Sequence, residues 1–202
     1  MRTITHLLVG GLATTAILTG TAVTATAQSD KITDKRADVV QYDDFEEDEA
    51  GTILDRADSL ASGIEATSAT VKHSKKSIKV TIRFADLTRQ EVQAGAVVRV
   101  KGSKQPRYLI SSISRKKVAV YDLKGDEMKQ LCTGKQTKKA GKKGTITFSV
   151  KRTCLKKPKA IKVQTGVSRF INFDNESFTI YQEVISSSRV RTPESTKWLK
   201  AS

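Results

Sequence analysis

The sequence predicts an all-β protein, an antiparallel β-sandwich of about eight strands that follows an export signal and an acidic leader. Three observations support this prediction. Apolar residues alternate with polar ones from about Ser68 onward, polar turn signals separate the alternating segments, and helical runs between them are scarce. The chain has 202 residues, 38% hydrophobic and 28% charged, which is enough for one ordinary domain with extra terminal segments.

The first 27 residues have the pattern of a secretory signal peptide. Arg2 stands near the start, residues 7–23 are apolar, small or hydroxylic, and no acidic residue appears before Asp30. The stretch ends in a small-x-small sequence, which predicts cleavage between Ala27 and Gln28. The alternative is an N-terminal membrane anchor, which the short and Thr-rich apolar run disfavours. We therefore expect a secreted, extracellular protein that has no membrane attachment after cleavage.

Residues 28–57 form an acidic leader before the predicted sandwich domain of residues 58–202. Residues 28–60 hold eleven acidic and four basic residues, a net charge of −7, with the densest acidic run at residues 43–49. Three interpretations remain open: a partly disordered, solvated leader; a leader that folds back on the body through Val39, Val40, Tyr42 and Phe45; and calcium binding by clustered carboxylates.

The body shows period-two alternation. Residues 78–84 place aliphatic or aromatic residues at every even position and Lys79, Thr81 and Arg83 at the odd positions. Residues 97–101, 118–120, 145–150, 161–163 and 178–180 repeat the pattern, and polar turns at residues 73–76, 101–104, 124–126 and 141–144 separate such segments. The weak helical candidates are residues 55–65 and 87–93.

The two cysteines, Cys132 and Cys154, are predicted to form one disulfide. Export places them in a compartment that permits disulfides, and an even pair leaves no thiol over. The bridge would close a loop of 23 residues and staple the base of a cationic loop at residues 135–143. Two buried free thiols are the alternative interpretation.

Basic residues dominate the body. The chain has a net charge of +15, and residues 61–202 hold 31 Lys and Arg against 10 Asp and Glu. Two lysine clusters near the cysteines are candidate polyanion-binding residues: Lys135, Lys138, Lys139, Lys142, Lys143, Lys156, Lys157 and Lys159. The expected partner is an anionic cell-surface polymer, such as cell wall or acidic polysaccharide, bound largely by electrostatics. The competing interpretation is that the charge only keeps an exported protein soluble.

Sequence-specific nucleic-acid recognition is not indicated, because aromatic residues are not interleaved with the lysines. The residues that catalysis requires are sparse as well. The predicted mature chain has one His, no Gly-x-Ser-x-Gly elbow, no phosphate-binding loop and no dinucleotide fingerprint. We therefore expect a non-catalytic protein without cofactor or metal. The alternative is a secreted enzyme or redox-type domain with an unrecognised site, and the oligomeric state stays open.

Residues 69–87 run from Ala69 through a polar turn to Phe84-Ala85-Asp86-Leu87. This pattern resembles the opening of jelly-roll sandwiches of the DOMON and carbohydrate-binding-module-9 type, and the whole layout resembles uncharacterised secreted proteins of actinobacteria. The resemblance implies a jelly-roll-like fold. Some DOMON-type domains hold haem between a Met and a His, but here His73 is interpreted as a surface turn residue and Met128 as a packing residue. Trp198 is expected to dock the C-terminal tail rather than to bind sugar.

Overall fold

The structure is a computed structural model that describes residues 27–43, 51–111, 116–124, 127–171, 179–186 and 193–202. Its first elements are β1 (Gln28–Thr33), β2 (Val40–Asp43), β3 (Thr52–Ile53), α1 (Arg56–Ala61), β4 (Ala66–His73), β5 (Ser77–Phe84), β6 (Asp86–Leu87), β7 (Gln93–Val100) and β8 (Arg107–Ser111). Then follow β9 (Lys117–Lys124), β10 (Glu127–Lys139), β11 (Gly141–Lys142), β12 (Thr145–Lys151), a 3-10 helix (Arg152–Leu155), β13 (Ala160–Ile171), β14 (Thr179–Val184) and β15 (Leu199–Lys200).

The prediction of an all-β antiparallel fold is confirmed: the architecture is 62% strand, and the sheet curls in a way consistent with a β-sandwich. The large sheet has the strand order β1-β4-β5-β12-β10-β9-β8-β7-β13-β14-β2-β3, and β15 pairs with β13. Each of its pairings is antiparallel, and β6 and β11 form a separate small ribbon. We call one part of the large sheet the first half, which consists of β1, β4, β5, β12 and β10. The other part is the second half, which consists of β9, β8, β7, β13, β14, β2 and β3.

The expected strand number, about eight, is wrong, because the described chain contains about 15 strands. Four of the unpredicted strands have two residues each and are too short to show a period. The predicted loop at residues 135–143 is wrong in its first part: residues 135–139 belong to β10, whose 13 residues include one buried residue, Gln136, and therefore show no apolar alternation. The weak helical candidate at residues 87–93 is not helical, whereas α1 lies inside the other candidate and begins after Asp55, whose side chain accepts a hydrogen bond from Asp58 N.

Alternation places the core where the sequence predicted it. The even residues of β5 are all buried, as are Ile146, Phe148 and Val150 of β12. They belong to the same buried cluster as Val98 of β7 and Val163 of β13 in the other half of the sheet. The two halves therefore bury their inner faces against a single aliphatic core, which leaves both outer faces in solvent.

The acidic leader is part of the sheet rather than a separate segment. All six residues of β1 pair with β4, and β2 pairs with β14. Val39 is fully buried and Val40 nearly so, in agreement with the interpretation that the leader folds back on the body. The two leader segments occupy opposite ends of the strand order. Phe45 and most of the run at residues 43–49 lie outside the described residues.

The long strand β10 joins the two halves of the sheet. Residues 127–135 pair with β9, whereas residues 135–139 pair with β12, and the register shifts between Gln130 and Cys132. Gly134 lies at the crossing, where an added Cβ would come within 2.2 Å of the Ser149 carbonyl oxygen. Only glycine permits this close approach of two backbones, so Gly134 fixes where the sheet turns.

Two expectations about single residues need correction. His73 is fully buried at the end of β4 rather than exposed in a turn, because its Nδ1 donates to the Leu199 carbonyl oxygen (2.9 Å) and β15 covers it. Met128, interpreted as a packing residue, is 47% exposed. In the C-terminal tail, Leu199 is fully buried, and Trp198, which is 40% exposed, contacts the body beneath the Lys162 ammonium. In the part of the chain that the structure describes, no helix has the length and apolar character needed to span a membrane.

Candidate functional site

The solvent-facing side of the first half carries basic residues at the strand positions that do not face the core. Exposed basic side chains stand on β1, β4, β5 and β10 of the first half and on the adjoining strand β9, and this set is called the cationic face: Lys31, Lys72, Lys79, Arg83, Lys135, Lys139 and Lys117. The alternate positions of the same strands face the core, so these side chains point into solvent.

The strand register aligns four of these lysines in one row. Lys72 of β4 is directly opposite Lys79 of β5, and Lys79 is opposite Ser149 of β12. Ser149 is opposite Lys135 of β10, which is in turn opposite Lys117 of β9. The row therefore crosses five strands and holds two directly opposed lysine pairs with a serine between them.

A row of threonines lies beside the lysine row. The register joins Thr70, Thr81, Thr147 and Thr137 across β4, β5, β12 and β10. Thr147 Oγ1 donates to Thr81 Oγ1 at 3.1 Å. On the far side of the threonines, Arg83 and Lys139 flank Thr145 in a third row. Hydroxyl groups are thus placed between two lines of positive charge.

The cationic face has no anionic counterpart among the described residues. Outside this set of residues, an ion pair joins Arg107 Nη1 to Asp122 Oδ1 at 2.5 Å, between β8 and β9. Asp30, beside Lys31 in β1, accepts hydrogen bonds from the Lys31 and Lys197 backbone amides instead. Within the described ranges, these carboxylates are thus engaged elsewhere and form no ion pair with the cationic face.

The eight lysines proposed from the sequence do not form one cluster. Lys135 and Lys139 belong to the cationic face, whereas Lys138 points to the other side of β10, where its ammonium group donates to the Gln90 carbonyl oxygen. Burial, and then the charge of Arg169, lowers the pKa of Lys138.

The remaining lysines lie at the two ends of the first half. Lys142 pairs with Asp86 in the β6–β11 ribbon, and Lys143 follows it. Lys156, Lys157 and Lys159 follow the 3-10 helix at the opposite end, with Lys156 and Lys157 in the left-handed backbone conformation. The alternation in β5 predicts that Lys79 and Arg83 point outward, but no sequence pattern predicts Lys72 and Lys117 beside them, because only the register shows which strands are neighbours.

The predicted disulfide is present. Cys132 of β10 is bonded to Cys154 of the 3-10 helix, with a Cα–Cα distance of 5.9 Å and a sequence separation of 22. The bridge ties the segment that carries Lys156 and Lys157 to the strand that carries Lys135. A disulfide is also compatible with an extracellular location.

A second polar group lies inside the molecule, where carboxylates from the leader meet β14. Asp34, Asp38 and Glu183 each place one oxygen within 4.8 Å of the others. Asp34 Oδ1 accepts from Arg36 N at 3.1 Å, and Oδ2 accepts from Ser186 N at 3.0 Å. Among the described residues, this is the group whose geometry could hold a cation. Its three ligand oxygens fall short of the six to eight that Ca²⁺ takes, so we assign no metal here.

Glu65 lies close to this group and titrates abnormally. It is 4% exposed, and burial is the main reason that its pKa rises to about 7. The charges of Asp34 and Asp38 raise it further, while a hydrogen bond from Ser59 lowers it. Burial also raises the pKa of Asp34. No local sequence pattern predicts this arrangement, because its members are up to 149 positions apart (Asp34 to Glu183).

The chain was compared with protein families, curated proteins and solved structures, and none of them matches it. The resemblance to jelly-roll domains of the DOMON and carbohydrate-binding type therefore stays a prediction.

Proposed function

We propose that this protein is secreted, does not catalyse a reaction, and binds extracellular anionic polymers through the cationic face. The observation that carries this proposal is the row in which Lys72 faces Lys79 and Lys135 faces Lys117. Like charges directly opposite each other destabilise a sheet, so these pairs do not serve the fold. Scattered lysines would keep the protein equally soluble without that cost.

The spacing of the row suits a polymer better than a single small anion. Neighbouring strands are about 4.8 Å apart, so the two lysine pairs lie roughly 10 to 15 Å from each other, and the third row lies about 13 Å away along the strands. A chain of phosphate or carboxylate groups can neutralise several lysines together and release their counterions. The threonine row offers hydroxyl groups to the same oxygens. Cell-wall polymers and acidic polysaccharides carry such repeating anionic groups.

Export is supported by the signal-peptide pattern of residues 1–27 and by the disulfide, which suits an oxidising compartment. Protein recovered from the culture medium should have the mass of a chain that begins at Gln28.

The binding experiment compares two variants with the same change in net charge. The first replaces Lys72, Lys79, Lys117 and Lys135 with Gln, and the matched control replaces the exposed Lys101, Lys104, Lys129 and Lys197 with Gln. The probes are poly(glycerol phosphate) and polygalacturonate, with neutral dextran as the blank, at physiological salt. We expect the first variant to lose at least about tenfold in affinity and the control to lose less than about twofold. Equal losses would mean that net charge alone drives binding, and would refute the assignment to this face.

A further inference from the structure

A pocket of about 470 Å³ lies between the loop at residues 88–92, which joins β6 to β7, and the last residues of β10. Lys138 of β10 contacts the loop directly, because its ammonium group donates a hydrogen bond to the Gln90 carbonyl oxygen. Lys116, the residue before β9, also lines the pocket, and its carbonyl oxygen accepts from Gln136 N at 2.9 Å. Since Lys138 and the cationic face lie on opposite sides of β10, this pocket is a separate site.

Positive charge dominates the lining of this pocket. The described residues supply one acidic side chain, Glu91, and three basic ones: Arg89, Lys116 and Lys138. The lining therefore carries a net charge of +2, which no ion pair within the described ranges neutralises. Burial lowers the pKa of Lys138, and the nearby charge of Arg169 lowers it further. A bound anion would relieve this repulsion between cations.

Gln136 contributes a buried hydrogen-bond acceptor to the same place. The residue is 7% exposed, lines the pocket, and lies on the same side of β10 as Lys138, two positions further along the strand. Its Oε1 atom is buried and accepts no hydrogen bond from any residue that the structure describes. A buried acceptor without a donor costs free energy, so this position favours a bound molecule that supplies an O–H or N–H group.

We propose that this pocket binds a small dicarboxylate that carries a hydroxyl group. Two carboxylates match the charge of the lining, and Lys and Arg side chains form charge-assisted hydrogen bonds with carboxylate oxygens. The hydroxyl group of the ligand donates to Gln136 Oε1. The volume is within the range of small-molecule sites and suits a compact ligand rather than a polymer segment.

The test is a titration at physiological salt, followed by backbone amide NMR shifts, with malate and succinate as probes. These two dicarboxylates have the same charge and differ in one hydroxyl group. We expect malate to bind at least about fivefold more tightly than succinate, because succinate leaves the Gln136 oxygen without a donor. Hydrogen phosphate, which also has two charges and an O–H group, is a third probe. Tighter binding of hydrogen phosphate than of malate would overturn the assignment to a dicarboxylate.

Variants of the lining test the acceptor and the charges separately. Gln136→Leu should bring the affinity for malate to within about twofold of that for succinate, while the melting temperature stays equal or rises, since an unpaired buried oxygen is removed. Arg89→Gln combined with Lys116→Gln should weaken malate binding by at least about tenfold. The matched control, Lys101→Gln combined with Lys104→Gln, has the same net charge and should lose less than about twofold.

The four-lysine variant of the cationic face should bind malate within about threefold of wild type, because those lysines lie on the other side of the sheet. This proposal and the proposed polymer binding can therefore fail separately. The absence of saturable shifts at residues 88–92 and 136–138 with millimolar malate would overturn the dicarboxylate site. A folded Gln136→Leu variant that still preferred malate to succinate by the wild-type factor would do the same.

Discussion

Ser59 Oγ donates a hydrogen bond of 2.6 Å to Oε2 of Glu65, deep inside the molecule. The same hydroxyl accepts a hydrogen bond of 3.2 Å from the Val39 backbone amide. A single buried hydroxyl therefore connects three parts of the chain: the leader, α1 and the start of β4. The acidic leader is held in place from within as well as by strand pairing.

Glu65→Gln should stabilise the protein at alkaline pH and change little at acidic pH. The pKa of Glu65 rises from 4.5 to about 7 in the folded state, so the folded protein binds this proton more tightly than the unfolded chain. The contribution of Glu65 to stability is complete below pH 4.5 and is lost as the pH rises through 7. The shift corresponds to about 3 kcal/mol, which Gln should restore at about pH 8 in urea unfolding.

The matched control for that variant is Glu91→Gln, which removes one exposed glutamate. Its free energy of unfolding should change by less than about 0.5 kcal/mol at either pH. If Glu65→Gln behaved like this control at about pH 8, the folded-state titration of Glu65 would not be linked to stability.

Ser59→Ala should destabilise the protein by about 2 kcal/mol, because it leaves the buried Val39 amide without its acceptor and Glu65 without its donor. Ser103→Ala is the control, since the Ser103 hydroxyl donates to the carbonyl oxygen of the exposed Gln105. Hydrogen exchange at Val39 should accelerate in the first variant only. Unchanged protection there would show that strand pairing alone holds the leader.

His73→Asn should flatten the loss of stability in acid. Burial lowers the pKa of His73 below 6.5, so the unfolded chain takes up the proton first. Stability from this group is present above pH 6.5 and declines as the pH falls below it. The Asn amide can donate to the Leu199 carbonyl oxygen in place of Nδ1 but cannot titrate. Thermal melts from neutral to mildly acidic pH measure the slope, and an equal slope in both proteins would contradict this assignment.

Removal of the disulfide should lower the free energy of unfolding. The double variant Cys132→Ala and Cys154→Ala frees a loop of 23 residues counted with both ends, and chain entropy alone predicts a loss of about 3 kcal/mol. Reduced wild-type protein should unfold at a denaturant concentration close to that of the variant. If oxidised and reduced wild type unfold at the same concentration, the bridge contributes nothing to stability.

Polymer binding should weaken steeply with salt, and the cationic face should set the slope. Each neutralised anionic group on a single-stranded polyanion contributes about −0.7 to the slope of log K against log salt concentration. Replacing Lys72, Lys79, Lys117 and Lys135 should therefore make the slope shallower by about 3. Affinities for poly(glycerol phosphate) at four salt concentrations are sufficient to measure it. An unchanged slope would place the binding lysines elsewhere.

The parts of the fold with strict alternation could be predicted from the sequence. The buried faces of β5 and β12 follow directly from their even and odd positions. The strand β10 could not be predicted, because it pairs on both sides and yet Gln136 is the one buried residue among its 13. The burial of His73 depends on contact with Leu199 in the C-terminal tail, 126 residues later in the chain. The local sequence pattern around His73 cannot predict a contact at that separation.

The candidate site shows the same division. The outward direction of Lys79 followed from the period of β5, but its neighbours did not. The alignment of Lys79 with Lys135 requires β12 between them and a register that Gly134 and the shift near Cys132 help to set. Lysine clusters along the sequence, such as residues 138–143, are instead split between the two sides and the end of the sheet.

The leader strands occupy both ends of the strand order, β1 beside β4 and β2 with β3 beside β14. A chain truncated before α1 would leave β4 and β14 as edge strands with unpaired backbone amides and carbonyls. Such exposed edges can form strand pairs with other protein molecules. We therefore expect a chain that lacks the leader to associate through these edges more readily than the full chain does.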